Sequence, residues 1–347
     1  MIVYDALIVG RGIAGNTLAL TLLQQHANIK VVDIPASNSA SRVAPGLYNP
    51  YTGKRSVKTW MAHEIFPFLE QFYADIELKS GIPFLHKTPI YRPFSNLEEY
   101  NDWTNKDNSN DLFLNQEPNH EAYKPYLKTT LGGFEAAHAG YIDTHAYLAA
   151  GEQLLGDKLL NTHFEYSDLS FERNEVMWNN ERFKKIIFCE GVQVKNNPFF
   201  PQLPLVCNKG ELLHLKCPDY TREEIISRGV FLMHHSNKGL LVGSTYNWSY
   251  EHEEPEERNK MEILEKLNKW FKPEFSLLSQ IVGIRPASKD RRPFLGASPI
   301  HSNVYIFNGL GTKGVSLAPY WAQHLCQHLL FKKDISKDVD IQRFYVN

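Results

Sequence analysis

Tyr4-Asp5-Ala6-Leu7-Ile8-Val9-Gly10-Arg11-Gly12-Ile13-Ala14-Gly15-Asn16-Thr17-Leu18-Ala19-Leu20 reads as strand, glycine turn, helix. An unbroken apolar run suits the central strand of a parallel sheet, covered on both faces. In the turn, Gly10 permits the tight bend, Gly12 lets backbone approach a pyrophosphate, and Gly15 lets the helix lie close on the strand. The free N–H groups and dipole of such a helix start attract an anion, so Ile13 and Ala14 belong to the same candidate site.

A lone GxGxxG is weak, and its surroundings decide. Here a second short strand, Asn28-Ile29-Lys30-Val31-Val32, ends in Asp33, near the offset of about 20 residues at which an acid meets a ribose diol. No Arg or Lys follows at Ile34-Pro35-Ala36, which argues against a 2′-phosphate and so against NADP.

The 347 residues are 43% hydrophobic and 22% charged, a balance that predicts a large core and two domains. A net charge of -2 gives no overall footprint for nucleic acid or an anionic membrane. The first strand starts too early for a signal segment, and no apolar stretch reaches the roughly 18 residues of a membrane helix. A cytoplasmic location is expected. Cys189, Cys207, Cys217 and Cys326 show no CxxC spacing and are expected to be free thiols.

Further along, residues 35–55 form a turn-rich stretch too long for a simple connector. Apolar spacing predicts a helix over 57–80, and 81–135 shifts to polar, aromatic and proline-broken sequence. A helix is expected over 144–155, capped by Asp143, with strand-like pieces at 164–166, 176–178 and 185–189. Residues 203–215, 230–234 and 240–245 read as an antiparallel sheet. A helix to about 271, strands at 280–286 and 304–308, and a second glycine turn, Gly309-Leu310-Gly311-Thr312-Lys313-Gly314, into a helix to about 330 complete the chain. His324 and His328 have metal-ligand spacing but no acidic or cysteine partner nearby, so no metal is expected.

These motifs, in this order, resemble the D-amino-acid-oxidase-like family of FAD-dependent oxidoreductases. The likeness covers nearly the whole chain. It rests on G-R-G-I-A-G, S-R-V-A-P-G-L, C-E-G, L-P-L-V-C-N-K-G-E-L-L, G-S-T, G-I-R-P with D-R-R-P-F-L-G, and G-L-G-T-K-G-V-S-L-A-P. The fold it implies is α/β. A Rossmann-type FAD-binding domain with a parallel sheet (1–80, 136–200 and 287–347) is interleaved with an α+β substrate domain on an antiparallel sheet (81–135 and 201–286).

The resemblance implies that Gly10, Gly12, Gly15 and Asp33 hold the ADP half, with Gly191 near it. Ser41, Arg42, Pro45, Gly46 and Leu47 should follow the pyrophosphate toward the flavin, and Gly311, Thr312, Lys313, Gly314 and Val315 should face its pyrimidine end. Donors there would stabilise the charge of the reduced ring. Lys313 either adds a full charge to that effect or points to solvent. Arg285 matches the substrate-carboxylate arginine, a role that suits a planar guanidinium, and its bland alternative is a structural ion pair. Tyr48 and Tyr246 are candidates for lining the pocket, with core or rim positions as alternatives. No cysteine stands in G-I-R-P, where one branch of the family attaches its flavin, so non-covalent FAD is expected. Asp33 in place of the commoner Glu, and Pro45 in the loop, depart from the family pattern.

The implied reaction removes hydride from the carbon next to the amine of a small amino acid or N-substituted amino acid. Catalysis falls to the flavin, to Arg285 as anchor and to the 311–315 turn with Lys313. The expected partner is a small-molecule amine, not a membrane or nucleic acid; no electron acceptor or oligomeric state is assigned. Three alternatives compete: trimming of a modified tRNA wobble base, with Lys54, Arg55, Arg291 and Arg292 on phosphates; a flavin-binding module without turnover; and a NAD-linked dehydrogenase.

Overall fold

In a computed structural model, the chain is described over residues 2–34, 39–53, 55–128, 131–172, 174–236 and 238–345. Two large sheets take fourteen strands: β1 Ala6–Val9, β2 Ile29–Val32, β3 Ile90–Pro93, β4 Leu114–Asn115, β5 Gly133–Ala136, β6 Leu159–Leu160, β7 Ile186–Phe188, β8 Leu205–Lys216, β9 Ile225–Arg228, β10 Val230–His235, β11 Gly239–Gly243, β12 Ser276–Ser288, β13 Phe294–Ala297 and β14 Val304–Asn308. The main helices are α1 Ile13–Gln24, α2 Ala40–Val43, α3 Ala62–Ser80, α4 Leu97–Thr104, α5 Thr144–Leu155, α6 Glu257–Asn268 and α7 Gly314–Phe331.

The first sheet runs β6-β2-β1-β7-β14-β13, parallel throughout except for β13. Every β1 side chain is buried, as its apolar run requires: Ala6 and Ile8 pack with residues of α1, α3 and α7, and Leu7 and Val9 pack on the other face with Val176, Trp178 and Phe183 of two short strands. Helix α1 is buried around most of its circumference, between α5 and α7. Arg11 fastens it to α5, donating from Nη1 to the Leu148 carbonyl at 2.6 Å and pairing through Nη2 with Glu152 at 2.9 Å. The Asp143 carboxylate accepts the His145 and Ala146 N–H groups at 3.1 and 3.2 Å, so it caps α5 where the sequence placed the cap.

The second sheet runs β12-β8-β11-β10-β9-β3-β5-β4, antiparallel except where β9 meets β3. Leu213, Leu232 and Val242 pack beneath α6 with Ile263, Leu267 and Trp270 in one buried cluster. The long strand β12 forms the edge of this sheet, and the same edge meets the first lobe through single bridges to Ser39 and Leu310.

Local departures from the sequence reading have physical causes. The helix expected from 57 starts at Ala62, because Val57–Lys58 pairs with Tyr51–Thr52 and Met61 takes a left-handed φ of 51°. Residues 164–166 form no strand. Phe164 and Tyr166 instead pack their rings on Phe188, and the pairing strand falls at Ser170–Glu172. Helix α6 stops at Asn268, and the next aromatic residues, Trp270 and Phe271, turn into the core. Within residues 35–55, α2 and the short strands Leu47–Tyr48 and Tyr51–Thr52 give the stretch regular structure of its own; Pro35–Asn38 and Lys54 lie outside the described residues.

Candidate active site and cofactor cleft

At the end of β1, Gly10 turns with φ of 92°, and a Cβ there would stand 2.6 Å from the Cys189 carbonyl oxygen, so only glycine passes between the two strand ends. Asp33, just beyond β2, accepts the Arg11 N–H at 3.0 Å, which places its carboxylate beside the turn. Ser41 Oγ accepts the Ile13 N–H at 2.9 Å, and a Cβ on Gly12 would come within 2.8 Å of that hydroxyl. The S-R-V loop therefore crosses in front of the α1 N-terminus, where Ala14 and Gly15 complete the first turn.

β12 forms the other wall. On one face of this strand lie Gly283, Arg285 and Ala287, spaced by two. A Cβ at Gly283 would meet Val43 of α2 at 3.0 Å, and one at Gly311 would meet the Ala287 Cβ at 3.2 Å. That face is therefore flanked by the 39–47 segment at one end and by the 311–315 turn at the other. Gly314 approaches Ile13 to 3.8 Å, measured from an ideal Cβ, so the starts of α1 and α7 meet although about 300 residues separate them. Tyr73 donates its hydroxyl to the Val315 carbonyl at 2.8 Å, fixing the first turn of α7. Gly191 lies 4.0 Å from Pro286 by the same measure, and Asn308 donates to its carbonyl at 2.9 Å. Ile142 donates to Gly46 at 3.0 Å, and Leu47 pairs with Tyr141, which holds Pro45–Leu47 against α5's lead-in strand. The Arg42 carbonyl accepts from Lys238 at 3.0 Å and bonds His145 Nε2 at 2.7 Å.

Arg285 lies half-buried across Gly210, where a Cβ would stand 2.0 Å from its Nη2. Its Nη1 donates to Asn208 Oδ1 at 2.6 Å and to the Thr245 carbonyl at 3.1 Å, and Tyr246 stacks 4.8 Å from its guanidinium carbon. Among the described residues no carboxylate lies within ion-pair distance of Arg285, so the structural ion pair is not what holds it. Burial pulls its pKa down, which is the cost of a guanidinium without a counter-ion. Behind it, Thr245 Oγ1 accepts the Glu211 N–H at 3.0 Å. Glu211 in turn joins a buried network with Asn259, Gln280 and the fully buried Lys209, which pairs with Glu256 at 2.5 Å. Sequence reading found Arg285 but not Asn208, Gly210 or Thr245. The available signal was the alternation of β8, which puts Asn208 and Gly210 on the face opposite Lys209 and Glu211.

Lys313 is partly buried, with Nζ 3.5 Å from Thr59 Oγ1; burial, and then Arg291 and Arg292, hold its pKa down. It therefore does not simply extend into solvent, whereas Thr312 is exposed. Glu190, beside Gly191, receives hydrogen bonds from Tyr166 at 2.7 Å and Asn197 at 2.8 Å, and burial pushes its pKa up to about 7. Tyr48 is fully buried against Phe66, so it is a core tyrosine and not part of the cleft surface; Tyr246 is 58% exposed beside Arg285. Arg55 is exposed. His324 Nε2 accepts from the Ser336 N–H and His328 Nδ1 bonds the Lys333 carbonyl. Among the described residues no three His, Cys, Asp or Glu side chains gather to hold a metal, and no helix is long and apolar enough to cross a membrane.

The cleft fits an elongated dinucleotide. It offers an acid for a ribose at one pole, a helix start for the pyrophosphate, and a second helix start facing an arginine-bearing strand at the other pole. Residues 5–328 match the DAO family, described as FAD dependent oxidoreductase, and the chain belongs to it. Solved structures with the same fold include a glycine oxidase from Bacillus cereus (18% identity, 96% of this chain and 99% of that one, TM-score 0.77). An iminodiacetate oxidase from a Chelativorans species (18%, 96% and 96%, 0.74) and an FAD-bound L-alpha-glycerophosphate oxidase from Mycoplasma pneumoniae (16%, 96% and 96%, 0.72) are similar as well. The protein is an FAD-dependent oxidoreductase.

Proposed function

We propose that this oxidoreductase oxidises the carbon next to the nitrogen of a small amino acid or N-substituted amino acid. The carrying observation is Arg285: a partly buried guanidinium, held on Asn208 and Thr245, with no carboxylate of the described residues within ion-pair distance, on the face of β12 that looks into the cleft. Its Nε and Nη2 donors suit two parallel hydrogen bonds to a substrate carboxylate.

In this reading the ADP half lies over Gly10, Gly12, Ile13, Ala14, Gly15 and Asp33, with Gly191 nearby. Ser41, Arg42, Pro45, Gly46 and Leu47 line the middle, and Gly311, Thr312, Lys313, Gly314 and Val315 the flavin end. Held there without a covalent bond, FAD supplies the acceptor for a hydride. Arg285 fixes the substrate carboxylate and thereby which C–H bond is presented. The α7 start and Lys313 direct positive potential at the end where negative charge develops. The substrate leaves as an imine once its C–H electron pair has gone, and water converts that to a carbonyl compound and an amine. The first lobe serves as cofactor domain and the antiparallel sheet as substrate domain. Four buried free cysteines suit a reducing, cytoplasmic setting. A panel of amino acids and N-alkyl amino acids, mixed anaerobically with the holoenzyme, tests the reading. Bleaching of the flavin with release of the matching amine and carbonyl product supports it, and no bleaching across the panel refutes it.

A further inference from the structure

Beyond the Arg285 anchor, three more cations come together where the turn after β12 meets the start of α7. Strand β12 ends at Ser288, and the turn that follows carries Arg291, with a left-handed φ of 60°, and Arg292. Arg292 lies 3.7 Å over the ring of Trp60, which stacks on the buried Trp321 at 5.4 Å and 11°, so its guanidinium is the outer layer of a rigid stack. Lys313 joins them from the α7 start: its Nζ lies 3.5 Å from the hydroxyl of Thr59, the residue before Trp60, and burial and then the two arginines pull its pKa down. The one acid in the turn, Asp290, is committed elsewhere: its carboxylate pairs with Arg343 at 2.8 Å and accepts the Arg292 backbone N–H at 3.0 Å. Among the described residues none of the three cations has a carboxylate within ion-pair distance.

Three like charges held together without an anion destabilise one another, and two of them, Arg292 and Lys313, are partly buried, where water screens less. Such a cluster is stabilised when an anion sits in it, and two arginines with a lysine suit carboxylate or phosphate oxygens. Its place is set by contacts already described: Gly311, two residues before Lys313, packs on Ala287, which shares a strand face with Arg285 two residues away, about 7 Å along the strand.

We propose that Lys313, Arg291 and Arg292 form a second anion subsite that binds a further carboxylate or phosphate carried by the substrate. The preferred substrate is then an amino acid bearing two anionic groups, one on Arg285 and one on this cluster. The inference rests on the proposed amine oxidation for its substrate but not for its anion.

The test compares anaerobic flavin bleaching by N-methylglycine, iminodiacetate and N-(phosphonomethyl)glycine in the wild-type holoenzyme and in Arg292→Gln and Arg291→Ala. Inorganic phosphate and malonate are titrated calorimetrically into the same proteins. The expected result is a preference of about tenfold or more for a dianionic probe, reduced by at least that factor in either variant, with anion binding weakened in parallel. The dicarboxylate and phosphonate arms show which anion the cluster takes. Thermal melts confirm that the variants fold, and Arg291→Ala, at an exposed site, guards against loss of the Arg292 stack. Bleaching by all three probes with a ratio that neither variant changes overturns the subsite and leaves the amine oxidation standing. Anion binding that is unchanged in both variants also overturns it. If no amine bleaches the flavin while the variants abolish anion binding, the oxidation reading fails and the anion site stands.

Discussion

Asn208 and Arg285 stand directly opposite each other on adjacent antiparallel strands, and the asparagine Oδ1 takes a guanidinium N–H at 2.6 Å. That bond is the shortest of the two holding Nη1, and it comes from a side chain with no exposed surface, so it sets the direction in which the arginine presents its free donors.

Replacing Asn208 with Leu removes a hydrogen bond to a charged group, about 1.5–3 kcal/mol. The apparent affinity for a carboxylated substrate is expected to fall about tenfold or more, with FAD content unchanged. Steady-state kinetics with flavin quantitation check this, and an unchanged KM would show that Asn208 does not position the anchor.

Gly210→Ala puts a methyl group 2.0 Å from Arg285 Nη2. The guanidinium must move, because the neighbouring β12 backbone is fixed by pairing along the whole strand. The variant should resemble an Arg285 loss in its kinetics while melting within a few degrees of the wild type.

These two residues show where sequence reading stopped. The glycine turn, Asp33, the S-R-V loop and the second glycine turn were legible because each is a local backbone device, a bend or a helix start, written in consecutive residues. Arg285 was legible only through its motif. Asn208, Gly210 and Thr245 were not, since their role comes from strand register and the pairing of β8 with β12, which no local pattern carries. Tyr48 went to the core for a similar reason: its strand pairs with Gly140–Ile142, and that partner turns the ring inward against Phe66. The onset of α3 was missed because Val57–Lys58 took a strand partner instead.

Glu190 gives a pH signature. Its folded pKa, about 7, lies above the ordinary value of 4.5, so the folded protein holds a proton that the unfolded chain releases between those limits. Stability therefore falls as pH rises from about 4.5 through 7, by up to about 3 kcal/mol from this group, and levels off above. Glu190→Gln should flatten that slope and raise the melting temperature at pH 8. A variant whose Tm follows the wild-type pH curve would contradict it.

Asp33→Ala removes the carboxylate beside the first turn and the acceptor of the Arg11 N–H. Purified protein should carry less flavin, with FAD binding weakened about tenfold or more, as expected for a hydrogen-bonded charged group at a ribose diol. Fluorescence titration of flavin-stripped protein measures it, and full retention of FAD affinity would place the adenosine elsewhere.

The central claim is that Arg285 holds the substrate's carboxylate against the bound flavin, and the rate of anaerobic bleaching as a function of substrate concentration tests it most directly. For an amino acid that reduces the wild-type holoenzyme, Arg285→Ala should lower the reduction rate over apparent dissociation constant about a hundredfold or more, with Arg285→Lys recovering part of it. Equal bleaching by the wild type and by Arg285→Ala, at matched flavin content, would contradict the account.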